Sequence, residues 1–167
     1  GYITNNQDFS IDMWLKINSS GTNVADGEVA GILGHSSSSS TFSISYKRVS
    51  ATKAQIFWTR GNSSSTNDMD KTSGVPSIYM NEWYHLAFAY DYSSTTGVIF
   101  VNGNYYDHGS TWGTSGDMSG SGGDFYIGQD NEYGNRFGAY DVSNLRIIKN
   151  QVIYTRNFTA PAAELTG

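Results

Sequence analysis

Hydrophobic and polar residues alternate along much of this chain, and the alternation has period two. In "DFSIDMWLKI", Phe9, Ile11, Met13, Leu15 and Ile17 interleave with Ser10, Asp12, Trp14 and Lys16. That pattern predicts a strand with one face in a core. "GEVAGILGH" predicts a more fully buried strand over Val29 to Leu33, and the "SSSSS" run after it predicts a polar loop. "TFSISYKRV" alternates again through Phe42, Ile44 and Tyr46, and "AQIFWTRG" gives a further short strand ending at Gly61. The long unpatterned stretch "NSSSTNDMDKTSG" reads as a surface loop.

Two strongly apolar segments follow, "EWYHLAFAYD" and "TGVIFVNGNYYDHG". The second carries Asn102 and Gly103 between apolar and aromatic pairs, and Asn-Gly supplies positive φ cheaply, so a hairpin turn is predicted there. A glycine-rich loop leads into a strand at Phe125 to Ile127. "GAYDVSNLRII" and "QVIYTRNFTAP" read as two more extended segments, stopped by Pro161. Period 3.6 is almost nowhere. The expected fold is all-β, an antiparallel β-sandwich or jelly roll, and with no repeat and no linker it is expected to be a single domain over residues 1–167.

Composition sharpens this picture. Only 15% of residues are charged while 14% are aromatic, which suits short strands joined by polar turns. The net charge is −5, and the ten Lys and Arg are dispersed apart from Lys47 and Arg48, so no nucleic-acid partner is expected. No apolar run approaches the roughly 18 residues that span a bilayer as a helix, so no membrane insertion is expected. The opening "GYITNNQDF" lacks a signal peptide's basic start and apolar core, and the chain is expected to be soluble as given, a domain cut from, or processed out of, something longer. Cysteine is absent, which removes disulfides and thiolate metal sites.

His85 invites a catalytic reading because "EWYHLAFAYD" closes on an acid. On a strand, however, His85 and Asp91 stand roughly 20 Å apart. They form no dyad. His85 is expected to be a packed, hydrogen-bonded scaffold residue.

The order of these pieces resembles the laminin G-like domains of the concanavalin A-like lectin and glucanase fold. Phe9 to Leu15 resembles the family's opening "F-T-I-E-x-W-V" strand, and Trp83-Tyr84-His85-Leu86-Ala87 its "W-x-H-V-A" strand. Val101-Asn102-Gly103 resembles its "V-N-G" hairpin and Tyr126-Ile127-Gly128 its "I-G" strand. Asn144-Leu145-Arg146-Ile147 and Tyr154-Thr155-Arg156-Asn157-Phe158-Thr159-Ala160-Pro161 resemble the "D-D-L-R-I … Y-T-x-N-F-T-P-P" ending of such domains in bacteriophage virion proteins. Ser143 and Asn144 replace the family's acids, and the glycine expected just before that strand is displaced to Gly138. The resemblance implies a virion-surface, otherwise extracellular, location and other virion subunits as partners.

The fold also houses glycoside hydrolases, which need two carboxylates flanking the scissile bond. The acid pairs two residues apart that include a glutamate, Asp26 with Glu28 and Asp130 with Glu132, sit in turn-like sequence. No catalytic residue is therefore expected. Asp68, Asp70, Asp130, Asn131 and Glu132 have the oxygen chemistry that calcium uses, but Ser40 and Thr41 stand where calcium-binding relatives often carry an aspartate. No cofactor is expected, and calcium is the one metal left open.

Sugars present apolar C–H faces and many hydroxyls, so their sites combine an aromatic platform with placed polar groups. Tyr105, Tyr106 and Asp107 after the hairpin turn, Trp112 in "GSTWGTSGD", and Tyr133, Asn135 and Arg136 in another loop fit that chemistry. The strand tryptophans Trp14, Trp58 and Trp83 are expected to pack. A non-enzymatic adhesion module that binds glycans or cell-surface polysaccharide is the favoured reading. A structural or decoration domain contacting virion subunits is the alternative, and a glycosidase of the same fold comes third.

Overall fold

The structure is a computed structural model and describes residues 7–37, 40–62, 65–68, 77–111, 124–128 and 138–162. The described residues contain strands and no helix. In chain order these are β1 (Phe9–Ile17), β2 (Val29–Ser37), β3 (Ser40–Ser50), β4 (Lys53–Asn62), β5 (Ser65–Asp68), β6 (Ser77–Tyr79), β7 (Trp83–Asp91), β8 (Thr96–Val101), β9 (Asn104–Thr111), β10 (Asp124–Ile127) and β11 (Tyr140–Lys149).

Two antiparallel sheets result. One runs β11-β1-β7-β8-β9, and the other runs β10-β2-β3-β4-β5 with β6 also pairing β4. The period-two pattern explains how they pack. Phe9, Ile11, Met13, Leu15 and Ile17 turn one way from β1 and are essentially fully buried. They meet Ile44, Tyr46, Ile56 and Trp58 from the facing sheet. Trp58 joins the layers through ring contacts with Phe9 at 5.7 Å and Phe88 at 5.9 Å. The result is an antiparallel sandwich.

The Asn-Gly signal is realised where expected. Asn102 (φ 50°) and Gly103 (φ 77°) make the turn joining β8 to β9, both in the left-handed conformation of a type I′ hairpin. Asn144 (φ 54°) lies where β11 slips register against β1, between the pairs Asp12↔Arg146 and Trp14↔Ser143. Asparagine tolerates that backbone better than most residues, which gives the departure from the family's acidic pair a physical reason. The displaced Gly138 lies against the Tyr46 ring, where a Cβ would collide with the phenol.

Three expectations need correction. Ser36 and Ser37 belong to β2 and Ser40 to β3, so most of the serine run is strand, because hairpin pairing outweighs the poor strand tendency of serine. The long polar stretch contains β5, a four-residue strand pairing β4. The segment after Lys149 is not a strand, although Val152 and Tyr154 alternate like one. It crosses the outer face of the five-stranded sheet as a strap.

That strap explains why β7 is apolar on both faces. Ala87 and Ala89 on β7, with Val98 and Phe100 on β8, form a second apolar cluster that Tyr154 completes and Val152, Ile153 and Phe158 pack against. The small alanines leave room for the rings above them. Buried Ser10 fixes the strap by donating to the Gln151 carbonyl (3.1 Å) and accepting from the Ile153 N–H (3.0 Å). At the far end, the Phe158 N–H donates to the Gly103 carbonyl (3.0 Å) and the Asn157 carboxamide oxygen accepts the Tyr105 N–H (2.7 Å).

Candidate functional site

The strap divides the outer face into a sealed polar cluster and an open surface. In the sealed part, Asp12 (4% exposed) receives Arg146 Nε at 2.9 Å, with Nη2 also 2.9 Å from the same oxygen. Arg146 Nη2 donates onward to the Tyr154 hydroxyl at 2.8 Å. Burial pushes the Asp12 carboxyl up, but His85 and the Arg146 guanidinium overcome it and hold the group below the usual carboxylate range. Regular pairing places Arg146 of β11 directly opposite Asp12, just before the register slip, so the two side chains share a face.

His85 lies under the strap at 1% exposure, ringed edge-on by Trp14 (5.5 Å) and Phe158 (5.7 Å). Its Nε2 is 3.6 Å from Asp12 Oδ1, beyond hydrogen-bonding distance. The packing expectation for His85 is met, whereas the expected side-chain hydrogen bonds are not, since neither ring nitrogen has such a partner among the described residues. Its backbone N–H does donate to the Asn102 side chain at 2.9 Å. Asp12 is a near neighbour that sequence spacing hid, because it arrives by pairing of β1 with β7.

On the open side two hollows meet at Tyr105. A cleft of about 160 Å³ is lined by Asp91, Ser94, Thr96, Tyr105, Tyr154 and Thr155, over a floor of Ala89, Val98 and Val152. A wider, shallow dish of about 410 Å³ is lined by Tyr105, Thr155, Arg156 and Asn157. Tyr105 is 38% exposed and is braced by the Phe100 ring at 5.4 Å, 68° between planes. Its backbone bond to Asn157 couples the platform to the strap. The Asp91 carboxylate accepts from Ser93 Oγ (2.7 Å) and from the backbone N–H groups of Ser93 (2.8 Å) and Ser94 (3.3 Å). The Ser93 hydroxyl leads the causes that hold it below the ordinary carboxylate value.

Of the candidate sugar-site residues, Tyr105 lies at both hollows. Tyr106 opposes Ile99 and packs against the main core, so it faces away from them. Asp107 stands opposite Val98 on β9. Trp112, Tyr133, Asn135 and Arg136 lie outside the described residues, as do Asp70, Asp130, Asn131 and Glu132. Trp58 is core, while Trp14 and Trp83 are half-buried, Trp83 beneath the Lys16 ammonium at 5.3 Å. Asp26 is paired with Arg48 (2.8 Å) and Glu28 caps the Ala25 N–H (2.9 Å), so that acid pair shapes a turn. No cluster of three potential metal-binding side chains occurs among the described residues. Sequence reasoning missed Asp91, Thr96, Thr155, Arg156 and Asn157; the last three had a signal in the "YTRNF" segment, whereas Asp91 and Thr96 reach the cleft only through strand pairing.

A laminin G-type family model, described as the concanavalin A-like lectin/glucanases superfamily, matches residues 2–156. The chain belongs to that superfamily. Solved structures of similar shape include a SAP-like pentraxin from Limulus polyphemus (15% identity, TM-score 0.55, 87% of this chain and 66% of that one). The botulinum neurotoxin serotype G binding domain matches at 13% identity and TM-score 0.58, over 90% of this chain and 34% of that one. Trypanosoma rangeli sialidase matches at 17% identity and TM-score 0.55, over 89% of this chain and 21% of that one. These likenesses show the fold, and this superfamily domain spans at most about two thirds of the length of each of those chains. No curated protein sequence matches it.

Proposed function

We propose that this domain is a non-enzymatic carbohydrate-binding and adhesion module of a bacteriophage virion surface protein. The observation that carries the binding reading is Tyr105, an exposed aromatic shared by two hollows rimmed with hydroxyl, carboxamide, carboxylate and guanidinium groups. An apolar ring face with polar groups around it suits the C–H face and hydroxyls of a pyranose. The virion setting rests on the resemblance of Tyr154 to Pro161 to the closing run of phage domains.

Two features support a non-catalytic site. The Asp12 and His85 pair is buried beneath the strap. Asp91, held as a carboxylate by Ser93 and Ser94, is the one carboxylate among the described residues lining the two hollows, whereas a glycosidase also needs a second carboxyl whose pKa is raised. A decoration domain contacting other virion subunits is the second reading, favoured by Ile127, 61% exposed on edge strand β10.

The test is retention of the purified domain on a broad glycan and bacterial-envelope array, with calcium and with chelator. Retention is expected, and Tyr105→Ala should weaken it about tenfold through loss of the ring contact. Absence of any retention at high protein concentration would transfer the function to protein contacts.

A further inference from the structure

The two hollows differ in charge, and the difference is directional. The dish carries Arg156, which forms no ion pair or hydrogen bond among the described residues, beside the neutral groups of Thr155 and Asn157. The adjoining cleft carries the Asp91 carboxylate beside Ser94, Thr96 and Thr155. Tyr105 and Thr155 line both, so one ligand reaches both parts across the tyrosine. The cleft is not complete alone, since its 160 Å³ is below the roughly 300 Å³ of a typical small-molecule pocket.

Resting on the carbohydrate reading above, we infer that the paired hollows form a two-part site for a glycan in which carboxylate-bearing and neutral sugars alternate. The acidic sugar lies in the dish, with its carboxylate on the Arg156 guanidinium, a planar fork that matches a carboxylate in two-point contact. The neutral sugar enters the cleft, where Asp91 and Thr96 meet its hydroxyls. A second carboxylate there faces Asp91, and like charges brought together in a partly enclosed cleft repel. The site therefore selects against fully acidic polymers as well as against neutral ones. The overall charge of −5 acts in the same direction, because it disfavours any polyanion lacking a local cation to meet it.

The experiment uses paired polysaccharides on one array. Polymers of alternating uronate and N-acetylhexosamine, their carboxyl-reduced forms, and the all-acidic polymer polygalacturonate are probed with the unaltered domain, Arg156→Gln, Asp91→Asn and Tyr105→Ala. Binding to alternating polymers is expected, falling about tenfold on carboxyl reduction or with Arg156→Gln, as the loss of a charge-assisted contact requires. Arg156→Gln should bind the reduced polymer as the unaltered domain does, and Asp91→Asn should gain affinity for polygalacturonate. Equal binding of native and reduced polymers, still abolished by Tyr105→Ala, overturns the acidic preference and leaves carbohydrate binding intact. Polygalacturonate binding as tightly as the alternating polymers overturns the two-part arrangement. No binding to any of these polymers removes the inference, and retention or its absence on the broad glycan array then decides the reading beneath it.

Discussion

Asp12 shows how one side chain ties three segments together. It sits on β1, holds Arg146 of β11, and through that guanidinium reaches Tyr154 of the strap. Asp12→Asn keeps the shape and removes the charge, so it is expected to cost about 2 kcal/mol in urea unfolding with an unchanged slope, the lower range for a charged pair because Arg146 is half exposed. Because the folded pKa lies below the ordinary aspartate value of 3.8, the stability from Asp12 is complete above that value and lost as pH falls through the lower folded one. The variant should therefore lose stability less steeply below pH 4. The alkaline limb has the opposite origin. Burial, then the neighbouring Tyr46, pushes Tyr140 from 10.0 up to about 12, so its contribution is intact below pH 10 and fades between the two values. Fluorescence-monitored unfolding across pH checks both limbs. None of this was visible in "EWYHLAFAYD", whose acids are Glu82 and Asp91, because strand pairing rather than sequence distance brings Asp12 to His85.

At the scale of elements, the legible parts were those in which local pattern and tertiary environment agree. The alternation of β1 and the Asn-Gly turn are cases of that agreement. The strap was illegible for a complementary reason. Its alternating Val152 and Tyr154 meet a sheet face, not a neighbouring strand, and alternation alone does not distinguish the two. The same blindness concealed most of the candidate site, since Thr155, Arg156 and Asn157 gain their positions only from where the strap lies. Two glycines separate backbone strain from strap docking. Gly27 (φ 86°) has open space where a Cβ would go, so Gly27→Ala should cost only about 1 kcal/mol. Gly103 has a similar φ of 77°, but its Cβ would run into the Phe158 carbonyl. Gly103→Ala is expected to cost about 3 kcal/mol, and amide exchange should quicken at Tyr105 and Phe158, the two N–H groups bonded across that junction. Equal losses for the two variants would show that the strap contributes nothing at this point.

For the whole molecule, the topology places β1 between β7 and β11, so the five-stranded sheet closes only when residues from both ends of the described chain meet. Such distant pairing predicts refolding in milliseconds to seconds. The strap's docking surface exists only after β1, β7 and β8 have assembled. Tyr154→Ala is accordingly expected to accelerate unfolding while leaving the refolding rate nearly unchanged, as a stopped-flow chevron would report. The pairing of Phe9 with Lys149, and the bond from the Asn150 N–H to the Asp8 carbonyl (2.7 Å), also fix how the fold carries load. Tension between Asp8 and Pro161 does not shear the sandwich. It lifts the strap first, from the Gly103 and Ser10 contacts, and then parts β1 from β11 one hydrogen-bonded pair at a time. Because Thr155, Arg156 and Asn157 travel with the strap, a hard pull would dismantle the hollows before the core, and the grip would yield while the domain stayed folded.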